Sequence, residues 1–344
     1  MDELAENFAS FGQVARYDYQ NTYDRRFRSI GAYLDSATVR RVRQSWEAMG
    51  ADYIHLNKQN LEDGLDLLKA LRGMDTPNLC TIHLTQNARY LRAVAAGPRD
   101  AVSRAALHAY PGTLVTVLEN RRTDLASFLG NSARIRMVEN GVPLFDLSRA
   151  PAARVAKRQE LGIAPTQPLI VAVGRLVPQK RPLVFIEQAA KILESQPDAR
   201  FLWVGDGTLG TEWDTEVQKR NVSHAVRRVG WQQDVAPFLF AADVFLHVAE
   251  FEGLPLAILE AMSAGLPCAI SRNLLQEMPF FDASSAIAVD NDASWAAVLG
   301  DHDRLLALGQ RARRLAEEQF SFAVMAERYE KLYRESMARP ARAN

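Results

Sequence analysis

The chain has 344 residues, 48% of them hydrophobic and 24% charged, and its 41 basic and 41 acidic residues cancel to a formal net charge of +0. That length suggests two domains, and the balanced charge gives no sign of a nucleic-acid partner. Cys80 and Cys268 each sit in an apolar run and read as buried free thiols. With a polar, acidic N-terminus and no apolar run near ~18 residues, the sequence predicts a cytoplasmic protein. Arg25-Arg26-Phe27-Arg28 and Arg40-Arg41-Val42-Arg43 are locally basic. They read as solvated faces, with an anionic acceptor or peripheral membrane association as the other reading.

In chain order, residues 4–11 read as the tail of a helix stopped by Gly12, and 14–19 as a strand. A helix is predicted over 38–49, a short buried strand over 52–56, a helix over 61–72 and a strand over 79–84. Then come a helix over 98–110, a strand over 113–118, a helix over 122–129 and a strand over 135–138. Between about 146 and 167 the pattern loosens into Ala, Pro and Arg, with one short helix near 155–161. A second alternation follows, with strands at 169–173, 201–204, 225–229, 243–247, 268–271 and 286–289 and helices at 182–194, 211–220 and 235–240. The tail from 304 to about 337 is helical. Two tandem α/β halves of this kind predict parallel sheets covered on both faces, with ligand crevices at the carboxyl ends of the strands.

The stretch from Ala249 to Gly265 reads as a loop followed by a helix, with Pro255 at the first helical position and Gly265 as the stop. Glu252 lies before the helix start and Glu260 little more than one turn inside. The free amides of that first turn, with the backbone around Gly253, form a seat for an anion. Ionised glutamates beside such a seat suit a ligand that carries both phosphate and hydroxyls, such as a nucleotide-sugar. Gly174-Arg175-Leu176-Val177-Pro178-Gln179-Lys180 directly follows a predicted strand. Gly174 lets the chain turn, and Arg175 and Lys180 could hold a pyrophosphate without a metal.

These motifs, with Val204-Gly205-Asp206-Gly207 between them and Glu260-Ala-Met-Ser-Ala-Gly-Leu-Pro after them, resemble the retaining GT-B glycosyltransferases of the glycosyltransferase family 4 type. The similarity runs in order from about Leu169 to the C-terminus and includes the two glutamates separated by seven residues. It implies two Rossmann-like doubly wound domains facing across a cleft, with a C-terminal helix crossing back to the first. The implied division is an acceptor-side domain over 1–148, a linker over 149–167, a nucleotide-sugar domain over 168–320 and the returning helix over 321–344. The implied activity is metal-independent transfer of a hexosyl-type sugar, with retention, from a nucleotide-diphospho-sugar to a glycan, lipid-linked or small-molecule acceptor. No cofactor and no metal is implied.

By matching motif, Arg175 and Lys180 would neutralise the leaving diphosphate and Glu260 would take the ribose hydroxyls. Glu252, with the backbone of Gly253, Leu254, Pro255 and Leu256, would hold the sugar and phosphate. Val229 and Gly230, followed by Trp231, would lie near the base. In the first half, His83 occupies the position of a histidine that contacts the donor sugar in the family, and His55 and Asn57 would line the acceptor side. Glu139-Asn140-Gly141-Val142 fits the turn before the interdomain hinge, a structural role.

The family opens with a strand and a glycine-rich loop, whereas the first glycine here is Gly12, so that element is expected to be missing. A nucleotide-sugar-binding partner subunit without turnover is therefore the alternative reading. A nicotinamide enzyme is a third, because Gly205-Asp-Gly207-Thr-Leu-Gly210 satisfies the dinucleotide fingerprint. That segment, however, follows the second strand of its half, and no acidic residue ends the next one. Asp290-Asn291-Asp292 reads as a turn capping a helix from Ala293, not as a metal site, and the six histidines show no helical metal-ligand spacing.

Overall fold

The computed structural model describes residues 12–290 and 294–338. The helix tail predicted over 4–11 and the capping turn at Asn291 and Asp292 lie outside the described residues. The described chain divides into two compact units. One is formed by residues up to Leu114 with Asp124–Ile135, the other by Val115–Thr123 with the chain from Arg136 onward.

The first part of the chain supplies α1 (Arg28–Leu34), α2 (Ser36–Met49), β1 (Ile54–Lys58), α3 (Leu65–Ala70), β2 (Asn78–Ile82), α4 (Ala96–Ala109), β3 (Thr113–Thr116), α5 (Glu119–Leu129) and β4 (Ile135–Met137). The sheet order is β1-β2-β3-β4, and β1 pairs β2 in parallel from Ile54↔Asn78 to Lys58↔Ile82. Asp35 caps α2 by accepting from the Thr38 amide, and Gly50 ends it at φ 60°. The core here gathers Leu65, Leu68, Leu71, Cys80, Ile82, Leu107 and Leu114, all buried.

Several expectations for this region are corrected. Residues 14–19 form no strand. Val14 and Tyr17 are 44% and 42% exposed, so the apolar pattern does not supply a buried sheet face. Tyr19 instead donates its hydroxyl to Asp66 Oδ1 at 2.8 Å. Arg25 is not part of a solvated face, because it is buried and pairs with Asp66 at 2.8 Å and Asp35 at 2.7 Å. Arg43 likewise turns inward, donating to the Ala70 carbonyl at the end of α3. That helix starts four residues later than expected because Asn60 holds the amides of Glu62 and Asp63 in a turn and Gly64 adopts φ 55°.

The second unit continues through α6 (Ala150–Leu161), β5 (Leu169–Val173), α7 (Pro182–Ser195), β6 (Arg200–Val204), α8 (Gly210–Lys219), β7 (Val226–Arg228), α9 (Ala236–Ala241) and β8 (Val244–His247). It closes with α10 (Leu256–Ser263), β9 (Cys268–Ser271), α11 (Arg272–Glu277), β10 (Ile287–Val289), α12 (His302–Gln319) and α13 (Phe322–Met337). The sheet order is β10-β9-β8-β5-β6-β7, with every pairing of this sheet parallel. Chain order reverses between β5 and β8, which is where a doubly wound sheet opens a crevice. Strands such as Leu-Ile-Val-Ala-Val over β5 are apolar on both faces because helices cover both. Phe185, Phe201, Trp203 and Trp213 interlock on one side, Trp213 stacking on Phe185 at 5.9 Å. Ile258, Leu259 and Met262 of α10 fill the other side. Each such side chain contributes about 1.5–3 kcal/mol by leaving water.

Pro255 stands just outside α10 as its N-cap, at ψ 116°, rather than at the first helical position. The helical tail is two helices, not one. It breaks at Phe320-Ser321, where the Val142 amide donates to Phe320 O at 2.8 Å and Val142 O accepts from Phe322 N at 3.1 Å. A side chain on Gly141 would meet Ser321 O at 2.7 Å, so the Asn-Gly-Val turn needs glycine for this close approach. Among the described residues, no helix is long and apolar enough to cross a membrane.

Candidate functional site

The carboxyl end of the second sheet is built on close backbone approach. Gly205 follows β6 at φ 135°, and a Cβ there would lie 2.1 Å from Gly174 O, which follows β5. A Cβ on Gly207 would lie 2.5 Å from Leu176 O. The Gly174 carbonyl accepts from Trp203 Nε1 at 2.8 Å, and the Gly205 amide donates to Gly230 O at 2.7 Å. The glycines of the dinucleotide-like segment are thus required by neighbouring protein backbone. Gly174, Gly205 and Gly230 form one continuous floor after β5, β6 and β7.

Over that floor the loop after β8 delivers Glu252. Its side chain is 9% exposed and forms an ion pair with Lys180, whose stem lies beside Gly174. Gln179 clasps the same loop, donating to Phe251 O at 3.0 Å while its own carbonyl accepts from the Glu250 amide at 2.8 Å. From the far side, Asn140 Nδ2 donates to Leu254 O at 2.9 Å. His247, the last residue of β8, is buried with Nε2 3.3 Å from Glu252 Oε1, though not aligned as a hydrogen bond. Burial of Glu252 opposes its ionisation, but His247 and the Lys180 charge outweigh it, so its pKa is lowered. The His247 pKa is lowered, by burial and by Lys180 against the pull of Glu252.

Gly253, Leu254 and Pro255 are buried and Leu256 is 50% exposed. Arg175 is exposed and takes part in no ion pair among the described residues. Glu260 projects from the second turn of α10, half-buried, its pKa raised by burial. The Val229 amide donates to Trp203 O at 3.0 Å, Gly230 turns the chain at φ 72°, and Trp231 follows with 66% of its surface exposed. An apolar cavity of about 660 Å³ lies elsewhere, lined by Phe240, Asp243, Leu266 and Pro267 where β8 and β9 approach their starts; none of these groups lines it. Among the described residues, no group of three or more His, Cys, Asp or Glu is placed to hold a metal ion.

In the first unit, His55 and Asn57 alternate along β1 and His83 follows β2. His83 Nε2 lies 3.4 Å from Asn57 Oδ1, and His55 Nε2 lies 2.9 Å from Thr81 Oγ1. Burial, then the nearby His83, pushes the His55 pKa down from 6.5 to about 4, and burial lowers that of His83. Asn57 and His83 thus meet at the carboxyl ends of β1 and β2, whereas His55, expected at the end of its strand, is the second residue of β1, because the strand runs two residues further than predicted.

The sequence reading overlooked His247, Gln179 and the grip of Asn140 on the Leu254 carbonyl. One signal was available. Val-Phe-Leu-His places a polar side chain at the end of an otherwise apolar buried strand, five residues before Glu252.

Residues 154–321, within the second unit, match the family model described as glycosyl transferases group 1. Over 141 residues the chain is 40% identical to the Escherichia coli UDP-Gal:alpha-D-GlcNAc-diphosphoundecaprenol alpha-1,3-galactosyltransferase, covering 40% of this chain and 36% of that protein. Across the curated relatives compared, the chain spans from 17% to 56% of their lengths. The crystal structure of Anabaena HepE in complex with UDP superposes with a TM-score of 0.73 at 17% identity, covering 86% of this chain and 82% of that one. A glycosyltransferase from Rickettsia africae superposes at 0.74 with 14% identity, covering 97% and 88%. At such identities the structural likeness speaks for the fold, while the matched segment speaks for the family. Residues 154–321 of the second unit thus match the glycosyl transferases group 1 family, and the described chain folds as two parallel-sheet α/β domains of the GT-B type.

Proposed function

We propose that the chain transfers a hexosyl group from a nucleotide-diphospho-sugar to a hydroxyl-bearing acceptor (glycan, lipid-linked or small molecule), with retained configuration and without a bound metal. The observation that carries this reading is the Lys180–Glu252 pair at the sheet's carboxyl end, which joins a cation to a carboxylate where a phosphorylated, hydroxyl-rich ligand needs both. As the bond from the anomeric carbon to the diphosphate oxygen breaks, negative charge builds on the diphosphate. Arg175 and Lys180 stabilise it through charge-assisted hydrogen bonds worth about 1.5–3 kcal/mol each. The acceptor oxygen bonds to the same carbon and passes its proton to the departing diphosphate oxygen. Glu252 and the Gly253–Leu256 backbone hold the sugar and phosphate, Glu260 takes the ribose hydroxyls, and Val229, Gly230 and Trp231 border the base. His83, with His55 and Asn57, serves the sugar and acceptor from the first unit. The E. coli relative is named for a UDP-hexose donor and a diphosphate-lipid acceptor, which supports the hexosyl and lipid-linked options here.

A thermal-shift panel with UDP, GDP, ADP and NAD, each with and without magnesium, tests the donor site. Ligand at a hundred times its Kd adds about 2.7 kcal/mol of stability. A magnesium-independent shift from one nucleoside diphosphate is expected, and a shift from NAD alone would sink the proposal. Turnover is tested separately: Glu252→Ala and Lys180→Ala should abolish transfer, and binding without any transfer by the wild type would point to a partner subunit.

A further inference from the structure

Glu252 Oε1 is shared. It is the atom that pairs with Lys180 and also the atom 3.3 Å from His247 Nε2. Both neighbours are fixed by the fold. His247 is 4% exposed at the end of β8, stacked on Phe245 at 6.0 Å, and its strand partner in β9 is the apolar Ile270. Lys180 ends the 3-10 turn Pro178–Lys180 directly after the β5 loop. The titratable groups that act on the imidazole are Glu252, which favours its protonation, and Lys180, which opposes it. The buried Nε2 has no aligned hydrogen-bond partner, so one position in this cluster is left for a proton to be used.

A diphosphate bound over Gly174 to Lys180 competes with Glu252 for the Lys180 ammonium. If the ammonium turns to the phosphate, Glu252 loses its counter-charge while nearly sealed from water, which is a costly arrangement. The nearest group able to replace that charge is His247. Removing Lys180 from its side also removes the charge that opposes imidazole protonation and leaves only the carboxylate that favours it. We propose that nucleoside diphosphate binding is coupled to proton uptake by His247, which takes over Glu252 as Lys180 is drawn to the phosphates. This inference rests on the donor-site reading and adds to it a positioning residue with a linked proton. The sign follows from linkage: a group protonated on binding makes the ligand bind more tightly as pH falls through the ionisation of His247 in the complex. Product release then returns the proton, so the pair acts as a reset of the site between turnovers.

The experiment is calorimetric titration with UDP and GDP at pH 6.5, in two non-phosphate buffers of different ionisation enthalpy, on the wild type and on His247→Gln. The wild type should show a net proton uptake per nucleotide more positive than that of the variant, whose remaining exchange is the release from the nucleotide's own phosphate as the cations bind it. Equal uptake by both proteins would overturn the linkage while leaving the donor site standing. Failure of every nucleoside diphosphate to bind the wild type would overturn the donor-site reading and the linkage with it. A readout independent of the variant is the spectrum of wild-type protein labelled with ¹⁵N-histidine. On saturation one buried neutral imidazole should convert to the protonated form, and no conversion counts against the proposal.

Discussion

Lys180 and Glu252, 72 residues apart in sequence, form an ion pair in which the lysine side chain is 17% exposed and the carboxylate side chain 9%. A pair so far from water has two separable roles: it closes the site structurally and supplies opposite charges for chemistry. Lys180→Met should destabilise the fold by about 2–3 kcal/mol, because the partner charge is left buried. The double variant Lys180→Met/Glu252→Leu should recover most of that loss, since apolar side chains can replace a buried pair at little cost. Urea unfolding of the single and double variants measures this. Sugar transfer should be absent from both, and activity in the double variant would show that the pair only props the loop.

The meeting of Gly205 with Gly174 gives a prediction independent of any ligand. Gly205→Ala places a methyl 2.1 Å from the Gly174 carbonyl at φ 135°, a backbone conformation L-residues rarely adopt. Loss of about 3 kcal/mol or more is expected, because neither strand end can retreat without breaking the sheet. The control is Gly97, inside α4 with nothing within 4 Å of an added Cβ. Gly97→Ala, in the first turn of α4 and directly before Pro98, should change stability little, the removal of glycine's backbone freedom being offset by the contact with the proline ring. Thermal melts should fall for Gly205→Ala and hardly move for Gly97→Ala.

The parts of the fold legible from sequence were those set by local pattern. Apart from Val-Arg-Arg in β7, the strands of the second sheet are mainly apolar runs that end in or are followed by Gly or a polar residue, and α7 and α10 carry their own start and stop signals. What escaped depended on distant partners. The 14–19 stretch has strand-like composition, but Tyr19 is claimed by Asp66, 47 residues away. Arg25 looks like a surface residue until Asp35 and Asp66 close around it. The site divides the same way. Lys180 and Glu252 announce themselves by residue type after strands, whereas His247 becomes meaningful only once β8 aims it at the Glu252 carboxylate.

Trp231 bears on base recognition. It is 66% exposed immediately after the Gly230 turn, so its removal should leave stability unchanged. Stacking of a base on an aromatic face contributes about 1–3 kcal/mol. Trp231→Ala should therefore weaken nucleoside diphosphate binding about tenfold or more while leaving inorganic pyrophosphate binding unaffected. Parallel titrations with the two ligands decide it, and an equal loss for both would remove Trp231 from the base.

The histidines set the response to acid. The His55 pKa is pushed down from 6.5 to about 4 by burial and then by His83, and burial lowers those of His83 and His247 as well. With a depressed folded-state pKa, the unfolded chain binds the proton more readily. The stability held by neutral His55 is complete above about 6.5 and is lost as pH falls toward about 4. Glu260 works in the other direction, since burial raises its pKa and its protonation in acid removes a charge the fold disfavours. Three depressed histidines against two carboxylates raised by burial, Glu260 and Asp66, predict a net loss of stability between pH 7 and 5. His55→Gln should shallow that slope, because glutamine cannot acquire the charge that the half-buried strand excludes. Urea midpoints for wild type and variant at pH 7, 6 and 5 measure the slope directly. Parallel pH dependences would mean that His55 is solvated enough to titrate normally, and the acid sensitivity would then have to be sought at His83 and His247.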